Sequence, residues 1–369
     1  MKNTKIIVKT KSKSYPIYFG DKNLNSIKLL IKKHLPGVNK ICIISDRNLP
    51  SSLLKKLKSA LKIYQLKIYK LPANEKIKDF KVANNLVENL LKDNLNRSDC
   101  IISLGGGIIS DLSAFVSSIV KRGIKFVNIP TTLLAQVDAS IGGKTGVNSN
   151  QGKNLIGTFY QPEFVLIDTS ILNSLPRREM ICGYGEILKH ALISNKKFFM
   201  WLYKNADQII NKNNKKNLKL AIIKSCKIKS KIVSRDEKEK NLRMILNFGH
   251  TFAHGFEGAK KFSGKLNHGE AVLLGMMTAC IFSYKKKLLP KNDLELINQH
   301  YINTNLPRKL KNQFKITQIN NIVNFMKRDK KNLNDKINLV LIKKIGTVAK
   351  LNSTTTTSKE LKKFLIDLY

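Results

Sequence analysis

A strand, three consecutive glycines and a helix in direct succession constrain this chain most, because together they are typical of a parallel α/β unit. Residues 100–104 form an apolar run that predicts a buried strand. Gly105, Gly106 and Gly107 follow at once, and residues 108–120 have helical spacing. Such a turn presents backbone N–H groups to a phosphate, although tight turns need glycine for conformational reasons alone.

Two polar segments beyond the next strand place lysines beside glycines. The predicted strand at 125–129 ends in Pro130, Thr131 and Thr132, and is followed by GGKTGVN at 142–148 and GKN at 152–154. Lysines on flexible backbone suit an anionic ligand. Solvated loops are the alternative, and the abundance of lysine in this chain gives that alternative weight.

Strands and helices alternate through the first half of the chain. The pattern predicts strands at 5–9, 15–19, 40–45, 66–71 and 164–168, and helices at 24–34, from near Pro50 to 61, and at 79–92. This alternation favours a parallel sheet with helical crossovers. Asp46 follows one strand, where it is either a ribose ligand or the N-cap of the helix that begins near Pro50.

The second half is mostly helical. Helices are predicted at 178–193, 196–210, 216–234, 249–260 and 268–287, with a strand at 337–342 and a short threonine-rich loop at 354–357. We therefore expect a domain boundary near residue 175, between an α/β domain at 1–175 and a mostly α-helical domain at 176–369.

Three of the six histidines lie close together in the helical half. His250 and His254 are four residues apart and share a helical face, and His268 begins the next predicted helix. Two histidines and one carboxylate with an open position are typical of a catalytic zinc. Spacing alone favours His250 and His254 as the pair and leaves three candidates for the carboxylate: Glu186, Glu257 and Glu270.

Charge and composition bound the function. The net charge is +42, but lysine, asparagine and isoleucine are abundant together, as AT-rich codons produce, and the lysines are spread along the chain. We interpret the charge as compositional drift that still attracts small anions, not as a nucleic-acid site. No apolar run reaches the length of a membrane span, no signal-peptide pattern begins the chain, and the five cysteines are scattered. These patterns predict a cytoplasmic protein with free thiols.

Taken together, the motifs resemble the 3-dehydroquinate synthase family over nearly the whole chain. The resemblance rests on LPANEK, LGGGIISD, IPTTLLAQVDASIGGKTGVN, GKNLIGTFYQP, LPRREM, GEILKH, LNFGHTFAH, NHGEAVLLGM and RDKKN, in the family's order and spacing. It implies an NAD-dependent lyase that needs zinc or cobalt and acts in the shikimate pathway, toward chorismate and the aromatic amino acids. It also implies a homodimer whose subunits each have a Rossmann-like N-terminal domain, a helical metal-binding C-terminal domain, and an active site between them.

Residue roles follow from the same resemblance. The implied metal ligands are Glu186, His250 and His268, and His254 is moved from the metal to the substrate. The implied NAD site comprises Asp46, Ala73, Asn74, Glu75, Lys76, Ile77, Lys78, Gly107, Ile108, Ile109, Ser110, Asp111, Thr131, Thr132, Lys144, Lys153, Ile171, Leu172, Asn173 and Ser174. The implied substrate contacts are Asp138, Lys144, Lys153, Asn154, Lys189, Arg243, Asn247, Lys331 (or its neighbour Lys330) and Arg122 from the other subunit.

The implied chemistry explains this combination of residues. In the family, 3-deoxy-D-arabino-heptulosonate 7-phosphate is oxidised at C5 by NAD, which acidifies the neighbouring proton so that phosphate leaves. The hydride is returned, the ring opens, and an aldol step closes the carbocycle to 3-dehydroquinate. The metal polarises the C5 oxygen, and the phosphate can act as its own base, so the protein mainly positions the substrate.

Departures from the family pattern and one rival enzyme class bear on this interpretation. Gly185, His190 and Ala253 stand where alanine, tyrosine and glycine are usual, and the loop between His250 and His268 is slightly longer. Ala253 and the loop put the metal affinity in doubt. A metal-dependent alcohol dehydrogenase would share the glycine turn and the histidines, but an uncharged alcohol needs no lysines at 144, 153 and 189.

Overall fold

A computed structural model describes residues 4–261, 263–327, 336–351 and 354–369. The chain divides into two units, of which the first consists of Met1–Pro176 and Leu218–Lys238 and the second of Arg177–Asn217 and Glu239–Tyr369. The sequence pattern did not predict that Leu218–Lys238 belongs to the first unit. The domain boundary near residue 175, with an NAD-binding domain before it and a metal- and substrate-binding domain after it, stays a prediction.

A seven-stranded sheet is the centre of the first unit. Its strands are β1 (Thr4–Lys9), β2 (Ser14–Gly20), β3 (Lys40–Asp46), β4 (Gln65–Leu71), β5 (Cys100–Gly105), β6 (Lys125–Pro130) and, after a separate hairpin of β7 (Lys144–Ser149) and β8 (Gly152–Phe159), β9 (Phe164–Asp168). The spatial order is β1-β2-β9-β6-β5-β3-β4. Only the β1–β2 pair is antiparallel in this sheet. The predicted α/β class with a parallel sheet is confirmed.

Helices cover both faces of this sheet. They are α1 (Ile27–His34), α2 (Ser51–Ala60), α3 (Phe80–Lys92) and α4 (Gly107–Ile119). Successive residues of β3 enter opposite cores: Ile41 and Ile43 pack with α1 and α2, whereas Cys42 and Ile44 pack with α3 and α4. A strand buried on both faces has no polar side, which explains the continuous apolar runs in the sequence.

The glycine- and lysine-containing segments are strands, not loops. They form the antiparallel hairpin β7–β8, in which Gly146 lies opposite Gly157. A Cβ on Gly157 would lie 2.1 Å from the carbonyl oxygen of Thr145, so the close approach of the two strands requires glycine there. The alternative of solvated loops is wrong, because glycine and lysine, both weak strand formers, obscure in the sequence a ladder that depends on backbone contact.

The second unit consists mainly of helices. They are α5 (Arg177–Ser194), α6 (Lys196–Ile210), α8 (His250–Ala259), α9 (His268–Lys285), α10 (Lys291–Asn303), α11 (Ile319–Lys327) and α12 (Ser358–Asp367), while α7 (Lys215–Arg235) belongs largely to the first unit. Two short ladders pair β10 (Lys336–Asn338) with β13 (Thr355–Thr357) and β11 (Ile342–Lys344) with β12 (Thr347–Val348). The strand predicted at 337–342 is thus divided, and the threonine tract is a strand, not the loop that its composition suggested.

Helices α5 and α9 pack at unusually short range, and α9 also lies close to Gly249, the N-cap residue of α8. A Cβ on Gly269 would lie 2.3 Å from the Cα of Cys182, and one on Gly275 would lie 2.3 Å from the carbonyl oxygen of Gly249. Both helices are buried on nearly every face. Apolar as they are, none of the helices in the described ranges is both long and apolar enough to span a membrane.

Candidate functional site

The residues expected to bind NAD share one edge of the sheet in the first unit. Strands β4, β3, β5, β6 and β9 run parallel, and the expected residues follow their carboxyl ends. The order of strands reverses direction at β3: β4 pairs with one side of β3, and the next strand in the chain, β5, pairs with the other side. Ligands of open α/β sheets bind at such a switch point, which Asp46 and Gly106 flank here.

Asp46 ends β3 and is held by a local turn. Its Oδ1 accepts the N–H of Asn48 at 2.8 Å, and the N-cap residue of α2 is Pro50. The interpretation of Asp46 as a helix cap is therefore wrong, whereas the ribose role stays a prediction.

The glycine turn fits close approach by a ligand. Gly106 is the N-cap residue of α4 and has no side chain to cap the first N–H groups of that helix. A Cβ on Gly105 would lie 2.6 Å from the Cβ of Ile109, and one on Gly106 would lie 3.1 Å from Cγ2 of Thr132. The turn thus requires glycine for packing and also leaves a helix N-terminus that suits a phosphate.

Lys78 connects the expected NAD and substrate residues of the first unit. Its ammonium is buried and donates to Asp111 Oδ2 at 2.7 Å and to Asn154 Oδ1 at 2.5 Å. Burial raises the pKa of the Asp111 carboxyl, and the Lys78 charge opposes that effect. The hairpin is attached to the same loop, because Asn148 N donates to the carbonyl oxygen of Lys78 at 2.7 Å.

The hairpin separates the two lysines that the sequence pattern grouped. Lys144 pairs with Phe159 at one end, whereas Ser149 pairs with Gly152, beside Lys153, at the other. Lys144 instead lines a small cavity together with Asp111 and Ser140. The two lysines therefore lie at opposite ends of the hairpin, and their contacts with ligands stay predictions.

Asp138 is held by a lysine that the sequence analysis did not identify. It lies in a single π-helical turn, Ala135–Ala139, and the Nζ of Lys229 donates to its Oδ1 and to its carbonyl oxygen, both at 2.6 Å. Lys229 is buried on the same face of α7 as Cys226 and Val233. The sequence could have indicated Lys229 as a residue with a buried partner, because it lies within an apolar stripe of a helix and a buried ammonium requires a partner.

Glu186, His250 and His268 are brought together in the second unit. Each offers one ligand atom, and these atoms lie within 4.8 Å of one another. His250 Nε2 is 3.7 Å from Glu186 Oε1. Two ligands of one zinc ion lie at most about 4.4 Å apart, given bonds of about 2.0–2.2 Å, so small side-chain rotations would complete the site.

The burial of the Glu186 carboxylate tests whether a metal ion fits this cluster. The residue is 1% exposed. Neither carboxylate oxygen has a hydrogen bond within the described residues, although the Lys189 ammonium contacts Oε2. The Lys189 ammonium compensates charge at Oε2, whereas Oε1, which lies toward His250 Nε2, is buried without a hydrogen bond from the described part of the chain and fits a divalent ion.

Both imidazoles are oriented through Nδ1. His250 Nδ1 lies 3.3 Å from the carbonyl oxygen of Phe248, and His268 Nδ1 lies 3.3 Å from Glu257 Oε2. An acceptor at Nδ1 keeps the ring proton there and leaves Nε2 for the metal. Glu257 therefore orients the His268 ring and leaves Glu186 as the carboxylate that the geometry favours as a ligand.

The geometry also favours His268 over His254 as the second histidine. The His250 and His268 ring centroids are 5.4 Å apart, whereas those of His250 and His254 are 6.0 Å apart, and His254 is exposed. The ligand set and the substrate role of His254 both stay predictions.

The remaining expected contacts are dispersed. Lys189 and Arg243 are each 2% exposed in the second unit. Asn247 Nδ2 donates to Glu239 Oε1 at 2.7 Å, a partner that the sequence analysis did not identify. Arg122 is exposed with a left-handed backbone (φ 64°), just before the amino end of β6. Lys330 and Lys331 lie outside the described residues.

The fold and the cluster together define a class of two-unit proteins, in which one unit has a parallel α/β sheet and the other is helical with a histidine–carboxylate group that could hold a metal ion. Two family models match the chain, "3-dehydroquinate synthase N-terminal" over residues 68–182 and "3-dehydroquinate synthase C-terminal" over residues 183–332. The chain belongs to the 3-dehydroquinate synthase family, which confirms the resemblance.

Three relatives illustrate this relationship. The 3-dehydroquinate synthase of Pelagibacter ubique is 51% identical over 93% of both chains. That of Thermoanaerobacter pseudethanolicus is 40% identical over 98% of this chain and 99% of its own. A solved 2-deoxy-scyllo-inosose synthase, complexed with carbaglucose-6-phosphate, NAD+ and Co2+, has a TM-score of 0.86 at 26% identity over 99% of this chain and 100% of its own.

Proposed function

We propose that this chain converts 3-deoxy-D-arabino-heptulosonate 7-phosphate into 3-dehydroquinate and phosphate. The observation that carries the proposal is the Glu186–His250–His268 cluster, in a chain that is 51% identical to a 3-dehydroquinate synthase. NAD, when bound, supplies a transient hydride acceptor, and zinc or cobalt supplies a Lewis acid at the substrate oxygen. The dehydrogenase alternative is disfavoured by the family assignment.

In the second unit, side chains beside the ligand cluster bind and orient the substrate. Lys189 lies one helical turn from Glu186 and is buried, so its charge suits a substrate oxygen that bears negative charge. His254 is exposed one turn beyond His250 and is placed to move a proton at a substrate hydroxyl. The other proposed contacts from this unit are Arg243, Asn247 and Lys331.

In the first unit, the carboxyl edge of the sheet binds NAD. The α4 N-terminus at Gly106 and Gly107 receives the pyrophosphate, and Asp46 receives a ribose hydroxyl. Lys78, which is buried and paired with Asp111, orients the hairpin next to the cofactor through Asn154 and Asn148. Asp138, Lys144, Lys153 and Asn154 are proposed to contact substrate from this unit.

A direct assay tests this function. The protein is incubated with the heptulosonate phosphate, NAD and zinc, and released phosphate and dehydroquinate are measured while NADH absorbance is followed. We expect phosphate and dehydroquinate in equal amounts and no accumulation of NADH, because the hydride is returned. A stoichiometric rise in NADH would favour a dehydrogenase, and an inactive Glu186→Gln variant controls for contaminating phosphatase.

Arg122 is proposed to reach the substrate of a second subunit in a homodimer. It precedes β6, at the sheet edge opposite the expected NAD residues, and so lies far from the NAD edge of its own unit. Arg122→Ala and Glu186→Ala should each be inactive alone, but co-expressed mixed dimers should regain activity at one site. Lys121→Ala is the matched control, because Lys121 also has a left-handed backbone (φ 48°) and is exposed. Inactive mixed dimers, or a fully active Arg122→Ala, would refute the shared site.

The proposed compartment is the cytoplasm. All five cysteines are buried and free in the structure, which suits a reducing environment. Burial also raises the pKa of Cys182 to about 12, so this thiol stays protonated and unreactive at neutral pH.

A further inference from the structure

We propose that Arg178 is a positioning residue for the metal centre, because it fixes the backbone that carries His268. This inference rests on the proposed role of His268 as a ligand. The guanidinium forms a two-pronged ion pair with Glu270: Nε donates to Oε1 at 2.8 Å and Nη2 to Oε2 at 2.7 Å. Nη2 also donates to the carbonyl oxygens of Lys265 and Gly264, at 3.0 and 3.4 Å. Arg178 therefore holds both α9 and the loop before it.

Glu270 transmits this restraint to the residue before His268. It is the third residue of α9 and completes a capping box with Asn267: Glu270 N donates to Asn267 Oδ1 at 3.0 Å, and Asn267 N donates to Glu270 Oε2 at 3.1 Å. One carboxylate thus contacts Arg178 and the N-cap residue together. Because His268 is the first residue of the helix, its backbone cannot turn without breaking these bonds.

His268 is the ligand that most needs such a restraint. Its side chain is 40% exposed, against 14% for His250 and 1% for Glu186. Packing fixes the other two ligands, whereas His268 depends on its backbone and on Glu257. Arg178 lies in the first turn of α5, the helix that also carries Glu186. The contacts of Arg178 with Glu270 and with the two carbonyl oxygens, here called the clamp, therefore connect the segments that carry two of the proposed ligands.

This arrangement differs from an ordinary surface ion pair. An isolated exposed pair contributes little to stability. Here the rigid guanidinium has four acceptors, two of them carbonyl oxygens of the loop before α9. Lysine offers a point charge without this fork geometry, so it should not replace arginine fully.

The test measures the affinity of the metal-free full-length chain for Co2+, by competition with a chelator and by the ligand-field absorption of bound Co2+. Arg178→Ala should raise the dissociation constant about 10-fold, the lower end of the effect of lost outer-shell partners. Arg177→Ala is the matched control, since it removes the preceding arginine, whose Nε donates to Asn211 Oδ1 at 3.1 Å instead. Its Co2+ affinity should match that of the wild type. Arg178→Lys should weaken Co2+ binding less than Arg178→Ala.

Two comparisons separate failure of this inference from failure of the ligand assignment. If His268→Ala leaves Co2+ affinity unchanged, the proposed ligand set is wrong, and Arg178 then has no metal ligand to position. If His268→Ala abolishes binding while Arg178→Ala and Arg177→Ala bind Co2+ equally, the clamp alone is refuted, even if Arg178→Ala lowers the melting temperature. Should Arg178→Ala not fold, Arg178→Lys against Arg177→Lys decides in the same way.

Discussion

Replacing Gly269 with alanine should separate two helices and weaken metal binding. The new Cβ would lie 2.3 Å from the Cα of Cys182, whereas carbon atoms pack favourably at about 3.5 Å. The obstacle is backbone, so α9 must move away from α5 by roughly 1 Å, and overpacking of this kind costs about 1–3 kcal/mol. Metal geometry tolerates displacements of only about 0.5 Å. Since His268 and Glu186 lie on the two separated helices, Co2+ affinity should fall by at least about 10-fold, or about 1.4 kcal/mol.

Gly185→Ala is the matched control at the same helix interface, also beside a proposed ligand. Its Cβ would meet the Leu273 side chain at 3.1 Å and the Gly269 carbonyl oxygen at 3.5 Å, so Leu273 needs to move by only a few tenths of an ångström. The gain in helix propensity of about 0.5–1 kcal/mol offsets that adjustment. Urea denaturation and Co2+ competition should therefore distinguish the two variants. The reasoning fails if Gly269→Ala matches Gly185→Ala in both unfolding free energy and Co2+ affinity.

Three further predictions concern individual side chains. His254→Ala should leave one bound metal per chain while lowering turnover, as metal analysis and kinetics would show; loss of the metal would instead restore the His250–His254 pair. Glu257→Ala should weaken Co2+ binding about 10-fold by releasing His268 Nδ1, and unchanged binding would exclude this role. Burial alone would raise the pKa of Glu237, but hydrogen bonds from Ser12 and Gln161 outweigh it and hold that pKa below its usual range. The stabilising effect of Glu237 is therefore present above the pKa of the unfolded chain and is lost as pH falls through the pKa of the folded chain. The difference in unfolding free energy between wild type and Glu237→Gln, measured with urea, should shrink below about pH 4; a difference that grows there would contradict this prediction.

Much of the first unit could be predicted from sequence because its strands are buried on both faces. The run at β3, for example, is apolar from Ile41 to Ile44 without alternation, and the predicted strand ends differ from the observed ends by a residue or so. The β7–β8 hairpin was not predictable in this way, because Gly146 and Gly157 stabilise it through backbone proximity and leave no apolar alternation. The threonine strand β13 was missed for another reason: its partner β10 is distant in sequence, since the β11–β12 ladder lies between them.

From the residues alone, the candidate metal site was predictable only where its side chains lie close together in one sequence motif. His250 and His268 stood out because histidine is rare in this chain, but spacing favoured His254, since four residues make one helical turn. Choosing among Glu186, Glu257 and Glu270 required knowing which carboxylate faces the imidazoles. Lys229 and Arg178 were missed because each acts on a residue about ninety positions away in the chain.

The path of the chain between its two units has a consequence for how the protein is made. A nascent chain that has reached Pro176 still lacks Leu218–Lys238, which the first unit requires. At about 5–20 residues per second, those residues emerge several seconds later. Until then the contacts of Gln136 with Cys226 and of Asp138 with Lys229 cannot form. The first unit can therefore complete its contacts only after the first helices of the other unit have been translated, and a chaperone could protect it during this interval.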